Sequence, residues 1–165
     1  MSQNSPVLHL MCGKIAAGKS TLAAQLAEAP GTVLLSEDAL LATLYGDQIA
    51  TPKDFVVLSG RLRAALASHI VELLGAGISV VLDFQANTVD SREWMRGLIA
   101  ASGAAHQLHV LMPPDEVCLT RLRDRNASGE HPFTLTEEQF HEVSKYFVPP
   151  TEAEGFTLVE HHQAY

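Results

Sequence analysis

An α/β fold with a parallel sheet is predicted by three observations. Five apolar runs alternate with helical patterns along the 165 residues, and that alternation implies right-handed crossovers with helices on both faces of one sheet. Runs such as Val7-Leu8-His9-Leu10-Met11-Cys12 are nearly continuous in apolar residues, as strands buried on both faces are. Between that first run and the first helical pattern lies the stretch Gly13-Lys14-Ile15-Ala16-Ala17-Gly18-Lys19-Ser20. Strand, glycine-rich loop and helix in that order is the arrangement GxxxxGK[ST] needs to curl its backbone N–H groups around a phosphate chain.

Each residue of the stretch has an expected task. Gly13, Lys14, Ile15, Ala16, Ala17 and Gly18 form the cradle, Lys19 reaches the terminal phosphates, and Ser20 joins a Mg²⁺ shell. Thr21 is placed to touch an inner phosphate. Such a site takes ATP with Mg²⁺. The sequence leaves open whether GTP is preferred, although no guanine-reading NKxD segment or DxxG switch is present.

Composition bounds the rest. The apolar share is 47% and the charged share 18%, and a chain of this length buries enough surface for a full core in one domain spanning 1–165. No run reaches the roughly 20 apolar residues of a membrane span, and the N-terminus lacks a signal-peptide pattern, so the expected location is cytoplasmic without a membrane partner. Cys12 and Cys118 fit buried thiols of a reducing compartment. The net charge of −8 argues against a broad nucleic-acid surface. The expected state is a monomer or weak homodimer.

In chain order, Pro30-Gly31 ends the first helix, and Thr32 to Ser36 reads as a second strand ending in Ser36-Glu37-Asp38. Polar groups at a strand's carboxyl end are well placed for ligand contact. Ala39 to Tyr45 reads as a short helix. Phe55 to Leu74 carries Leu58, Leu62, Leu66, Ile70 and Leu73 at helical spacing. On that helix Arg63 borders the apolar stripe and Arg61 points away, so at most one faces a cleft and the default for each is a solvated arginine.

Ile78 to Asp83 is the third strand, and an apolar run ending in aspartate suits Asp83 to hold Mg²⁺ directly or through water. Thr88 is a helix N-cap with Asp90 in the first turn. Trp94 belongs to that helix's core face. His106 to Met112 is the fourth strand, on which His106 and His109 point to opposite faces. Neither they nor the adjacent His161 and His162 form a convincing zinc set.

The next helix, Glu116 to Arg125, presents Arg121 and Arg125 on one face. The polar stretch from Asn126 to Phe133 follows. Thr136 with Gln139 forms a capping box, and Leu135 with Phe140 a hydrophobic staple, for a helix Glu137 to Phe147. Two arginines on one face before a flexible loop suit a lid, approximately 121–135, that closes over transferring phosphates. Phe156 to Glu160 is the fifth strand.

Gly13 to Thr21, Ser36-Glu37-Asp38, Val80 to Asp83, and Arg121-Leu122-Arg123-Asp124-Arg125-Asn126 with Glu130-His131-Pro132-Phe133 together carry a resemblance. The chain resembles the small P-loop kinases grouped with polynucleotide kinase, zeta toxin and chloramphenicol phosphotransferase, and is most similar to small bacterial P-loop proteins known as predicted kinases. The resemblance covers nearly the whole chain. It implies a three-layer P-loop NTPase fold of the nucleoside-kinase type, a five-stranded parallel sheet in the order 2-3-1-4-5, an ATP site, and a lid from Arg121 onward. It also implies an acceptor-side role for Asp38. Many relatives carry an arginine three positions after that aspartate, where this chain has Leu41. That departure, with the acidic balance, favours a small hydroxyl-bearing acceptor over a polynucleotide end.

Two functions follow as expectations. In the first, a kinase moves the γ-phosphoryl of MgATP to an alcohol: Lys19 offsets charge, Asp38 orients or deprotonates the acceptor, and Arg121 and Arg125 stabilise the migrating group. In the second, the chain is an ATP-dependent switch with no acceptor. Acceptor pockets in such folds are built from variable segments, here Tyr45 to Phe55 and the lid.

Overall fold

Why five short apolar runs make one sheet is visible in their pairing. In the computed structural model, which describes residues 5–162, β1 (Val7–Cys12) lies between β3 (Ser79–Gln85) and β4 (Ala105–Leu111). β2 (Thr32–Ser36) and β5 (Leu158–His161) form the edges, so the order is 2-3-1-4-5. All four pairings are parallel. The central strand is the most apolar because both its faces are covered: Leu8, Leu10, Met11 and Cys12 have no exposed surface.

Among the described residues, six α-helices connect the strands: α1 (Lys19–Ala27), α2 (Glu37–Tyr45), α3 (Pro52–Gly75), α4 (Val89–Ser102), α5 (Asp115–Ser128) and α6 (Glu137–Ser144). Leu41, Leu58, Leu62, Ile70, Leu74, Met95 and Leu98 from α2, α3 and α4 pack on Leu8, Leu10, Leu82 and Leu108. Ala23 of α1, with Leu22 and Leu26 beside it, covers Met11 and Val81 on the opposite face. Cys118 and Leu122 of α5 and Phe140 of α6 enclose Ile15, Ala17 and Leu111. The loop after β1 is thereby fixed on a small core of its own.

Several helix starts follow their local chemistry. Thr51 and Asp54 form a reciprocal capping box ahead of Pro52, Thr88 accepts from the Ser91 N–H, and Thr136 with Gln139 caps α6. Other boundaries differ from expectation. Glu37 and Asp38 are the first turn of α2, because Ser36 accepts from the Ala39 N–H and starts the helix there. β3 continues two residues past Asp83 to Gln85, and β5 starts at Leu158, two residues later than expected. α5 reaches Ser128 and stops at Gly129, whose φ of 67° is left-handed. α6 ends at Ser144, where Tyr146 and Phe147 turn back onto the Val143 and Ser144 carbonyls.

Two buried polar groups are structural. Arg92, with no exposed surface, donates to the Ala86 and Val148 carbonyls at 2.9 and 2.8 Å and grips Glu154 at 2.7 and 3.2 Å. It ties the segment after α6 to the end of β3. On the α1 side of the sheet, His9, His109 and His161 from three adjacent strands form a row, with ring nitrogens 3.0 and 2.8 Å apart. Burial and its two histidine neighbours lower the pKa of His109 to about 4. Among the described residues no group of three or more His, Cys, Asp or Glu side chains is arranged to hold a metal ion. No helix among them is long and apolar enough to cross a membrane.

Candidate phosphate and acceptor site

The parallel order brings three strand ends to one edge of the sheet. β1 delivers the glycine-rich loop, β3 delivers Asp83, and β2 delivers Glu37 and Asp38, with Ser36 in register with Asp83. Arg121 and Arg125 reach the same place from α5, and they share with those residues one cavity of about 550 Å³.

The loop is held from below. A Cβ on Gly13 would lie 2.5 Å from the Leu111 carbonyl oxygen, so only glycine fits where the loop leaves β1. The Asn87 side chain grips the same residue twice, accepting from the Gly13 N–H at 2.9 Å and donating to its carbonyl at 2.8 Å. Ala16 adopts φ 63° and Gly18 φ 104°. A left-handed alanine stores strain that persists only where the surroundings impose it, a pattern concentrated at ligand clamps. Ile15 and Ala17 anchor the loop, and Gly18 starts α1.

The side chains of the stretch divide in their tasks. Lys19 is buried, and its ammonium donates to the Gly13 and Lys14 carbonyls, the latter at 2.8 Å. Burial lowers its pKa to about 8, against the opposing pull of Asp83. Ser20 Oγ donates to Asp83 Oδ2 at 2.7 Å, and burial raises the pKa of that carboxyl. A hydroxyl beside a carboxylate that burial penalises is a hard, oxygen-only donor pair, which suits Mg²⁺ completed by phosphate oxygens and water. Thr21 lines the cavity as well. Gly13 and Lys14 do not line it: Gly13 is the anchored foot, and the Lys14 ammonium pairs with Asp115 at 2.9 Å.

Arg121 donates to the Ala17 carbonyl at 3.1 Å, which places it against the loop. Arg125 carries a buried Nε with no hydrogen-bond partner among the described residues. Burial lowers its pKa while Asp38 opposes the shift. A buried guanidinium N–H left unpaired is costly unless a ligand satisfies it.

On the other side, Asp38 Oδ2 lies 3.1 Å from His131 Nε2, which comes from the segment after α5. The His131 Nδ1 is fixed against Phe133, whose N–H is 3.1 Å and whose carbonyl is 2.9 Å away. The 121–135 segment is therefore joined to Asp38, although its first half is helix α5 rather than loop.

The expectation of a solvated Arg63 is corrected. Its Nε donates to Glu37 Oε2 at 3.0 Å, its Nη2 lies 3.3 Å from the Gln85 carbonyl, and its guanidinium covers the Phe84 and Trp94 rings. Ser59 donates to the same Glu37 oxygen at 2.5 Å. A helix-face argument cannot see a carboxylate on another element. The available signals were Glu37 directly before Asp38 at a strand end, and Ser59 and Arg63 four apart on one helix. Asn87 was missed in the same way, because the Gly13 it grips lies 74 positions earlier. Leu41 is fully buried in the main core, so the position that carries an arginine in many relatives faces away from solvent here.

Comparison with known proteins supports the same fold. The AAA domain family model matches residues 8–150. No curated protein matches. Among solved structures, a candidate kinase from Chloroflexus aurantiacus superposes with a TM-score of 0.73 at 22% identity, covering 94% of this chain and 84% of that one. A sugar kinase from Janibacter sp. HTCC2649 gives 0.66 at 18%, covering 94% and 85%. Chaetomium thermophilum Kti12, in complex with ADP-AlF3, gives 0.61 at 16%, covering 94% and 89%. With a matched region running from β1 to beyond α6 and a phosphate loop at the end of its central strand, the chain belongs to the AAA domain family of P-loop proteins.

Proposed function

We propose that the protein is a kinase that moves the γ-phosphoryl of ATP to a hydroxyl of a small acceptor. The observation that carries this reading is the meeting in one cavity of Asp38 from α2, the phosphate loop after β1, and Arg121 and Arg125 from α5. The likeness to a candidate kinase and a sugar kinase supports it.

The residues divide the work by position. The loop N–H groups and Lys19 hold and neutralise the β- and γ-phosphates. Ser20 and Asp83 would hold Mg²⁺, which when bound would offset negative charge on the phosphates. Asp38 accepts the acceptor's hydroxyl proton while the oxygen forms its bond to the γ-phosphorus. The bond from that phosphorus to the β,γ-bridging oxygen breaks, and ADP leaves with the bridging oxygen. Arg125, with its unpaired buried N–H, and Arg121, against the loop, face the charge that spreads over the migrating group.

Thermal unfolding with MgATP, followed by ADP release over a panel of alcohols, tests the reading. Ligand at a hundred times Kd stabilises a folded protein by about 2.7 kcal/mol, so the midpoint should rise. At least one alcohol should raise ADP formation above the protein-alone rate. A midpoint indifferent to ATP, GTP and ADP removes the nucleotide site, and basal hydrolysis that no acceptor stimulates favours a switch.

A further inference from the structure

The cavity wall opposite the phosphate loop has its own chemistry. Ile49, Pro52, Phe55 and Val56 line it from the turn before α3 and the start of that helix, and Phe133 closes it from the lid. Phe55 and Phe133 meet edge to face, centroids 5.9 Å apart. Val56 is 69% exposed, an apolar side chain facing water at a cavity mouth.

Charge on this wall excludes an anion. The cavity's cations, Lys19, Arg121 and Arg125, stand where phosphates travel, and His131 is engaged with Asp38. Arg63, the nearest arginine on α3, is held by Glu37 and two aromatic faces. What faces the acceptor is the Asp38 carboxylate, since Glu37 is buried and paired with Arg63, and an anionic acceptor there would meet repulsion with no cation beyond those on the phosphate side. Polar partners are few as well. Thr51 and Gln139 are used in their capping boxes and Glu37 Oε2 is taken by Ser59 and Arg63, which leaves the Gln85 and Thr134 side chains. A polyol would bury hydroxyls against hydrocarbon. The phosphate chain shares the same 550 Å³, which keeps the acceptor small.

Resting on the phosphotransferase reading, we infer that the acceptor is an uncharged alcohol whose hydroxyl is carried by an aromatic or branched hydrocarbon body seated between Phe55, Val56 and Phe133. The hydroxyl faces Asp38, and the apolar body replaces water on a wall that has little to offer water. Phe133 belongs to the lid, so a bound ring also gives the lid a surface to close on.

The test uses ligand-observed NMR on the protein loaded with Mg²⁺ and a nonhydrolysable ATP analogue, alongside ADP release with MgATP. The probes are benzyl alcohol, phenethyl alcohol and cyclohexylmethanol, against glucose, gluconate and an oligonucleotide with a free terminal hydroxyl. At least one of the three apolar alcohols should bind saturably, and the polyols and oligonucleotide should not. Phe55→Ala should weaken that binding about tenfold or more, in the range set by changes in apolar pocket contact. Val56→Glu should do the same without touching the core, which covers the case of a poorly folded Phe55 variant. No apolar alcohol binding, binding that both variants leave unchanged, or preferential turnover of glucose, gluconate or the oligonucleotide overturns the inference. Alcohol binding that depends on Phe55 and Val56, with no ADP formed, supports the apolar wall and fails the kinase reading alone.

Discussion

On the proposed kinase reading, the phosphate half and the acceptor half of the cavity are built by different rules. The phosphate half is mostly one contiguous stretch, bent by Ala16 and Gly18, seated on Ile15 and Ala17, and clamped at Gly13 by Asn87. The acceptor half is assembled from α2, the turn before α3, the start of α3 and the lid, and its polar groups are committed to one another through Glu37, Ser59 and Arg63. A phosphate chain is the same in every nucleotide and one rigid cradle serves it. An acceptor varies, and a wall drawn from separate segments can vary without disturbing that cradle.

Removing the charge from the phosphate half should have the largest effect. Lys19→Ala deletes the buried ammonium that bridges two loop carbonyls, and turnover should fall by ~10²–10³-fold or more, the scale of losing one charge-stabilising donor. Steady-state ADP formation measures it. Turnover within a few-fold of the parent would mean the loop does not hold the transferring phosphates.

Loosening the cradle should cost less. Asn87→Ala removes both bonds to Gly13, and MgADP affinity should weaken about tenfold, the equivalent of roughly 1.4 kcal/mol. Titration calorimetry reads this directly, and the acceptor's KM should change little. If the acceptor half responds as strongly, the two halves are not independent.

Protonation sharpens the same comparison. Burial holds the free protein's Lys19 at about pKa 8, and an anionic phosphate favours the charged ammonium. Binding above that pH must take up a proton, so MgADP affinity should fall as pH rises past about 8, by at most about tenfold per pH unit. Affinity that stays flat from about pH 7 to about pH 9.5 would contradict the placement of Lys19 at the phosphates.

The histidine row is the control, since it belongs to neither half. Unfolded histidine titrates near 6.5, whereas burial lowers His9 and lowers His109 to about 4. Between those values the unfolded chain binds more protons. Stability is complete above about pH 6.5 and is lost as pH falls through the window, by up to about 3 kcal/mol for His109. His109→Gln should flatten that acid dependence in denaturant titrations while leaving MgADP affinity at neutral pH unchanged.

Legibility in the sequence follows chain contiguity. Gly13 to Ser20 and the apolar run into Asp83 carry their chemistry within a few residues, and periodicity placed every strand and main helix. Glu37, Ser59 and Arg63 lie 22 and 26 residues apart in their pairings, and Asn87 grips a residue 74 positions away. No local pattern specifies such partners. Arg63 reads as solvated from its own helix because the carboxylate that buries it belongs to α2. The histidine row escapes for the same reason: its members are separated by 100 and 52 residues and meet only when strands 1, 4 and 5 stand side by side.

Asp38 is the point at which the two halves meet, and its substitution tests the account most directly. Asp38→Asn keeps the shape and gives up the proton acceptor, so nucleotide affinity and acceptor-stimulated ADP formation are to be measured on the same preparation. The account predicts MgATP affinity within about twofold of the parent and acceptor-stimulated turnover lower by roughly 10²-fold or more. Turnover that survives the substitution, or affinity that falls in step with turnover, would contradict a division of the cavity into a phosphate cradle and an acceptor wall joined at this carboxylate.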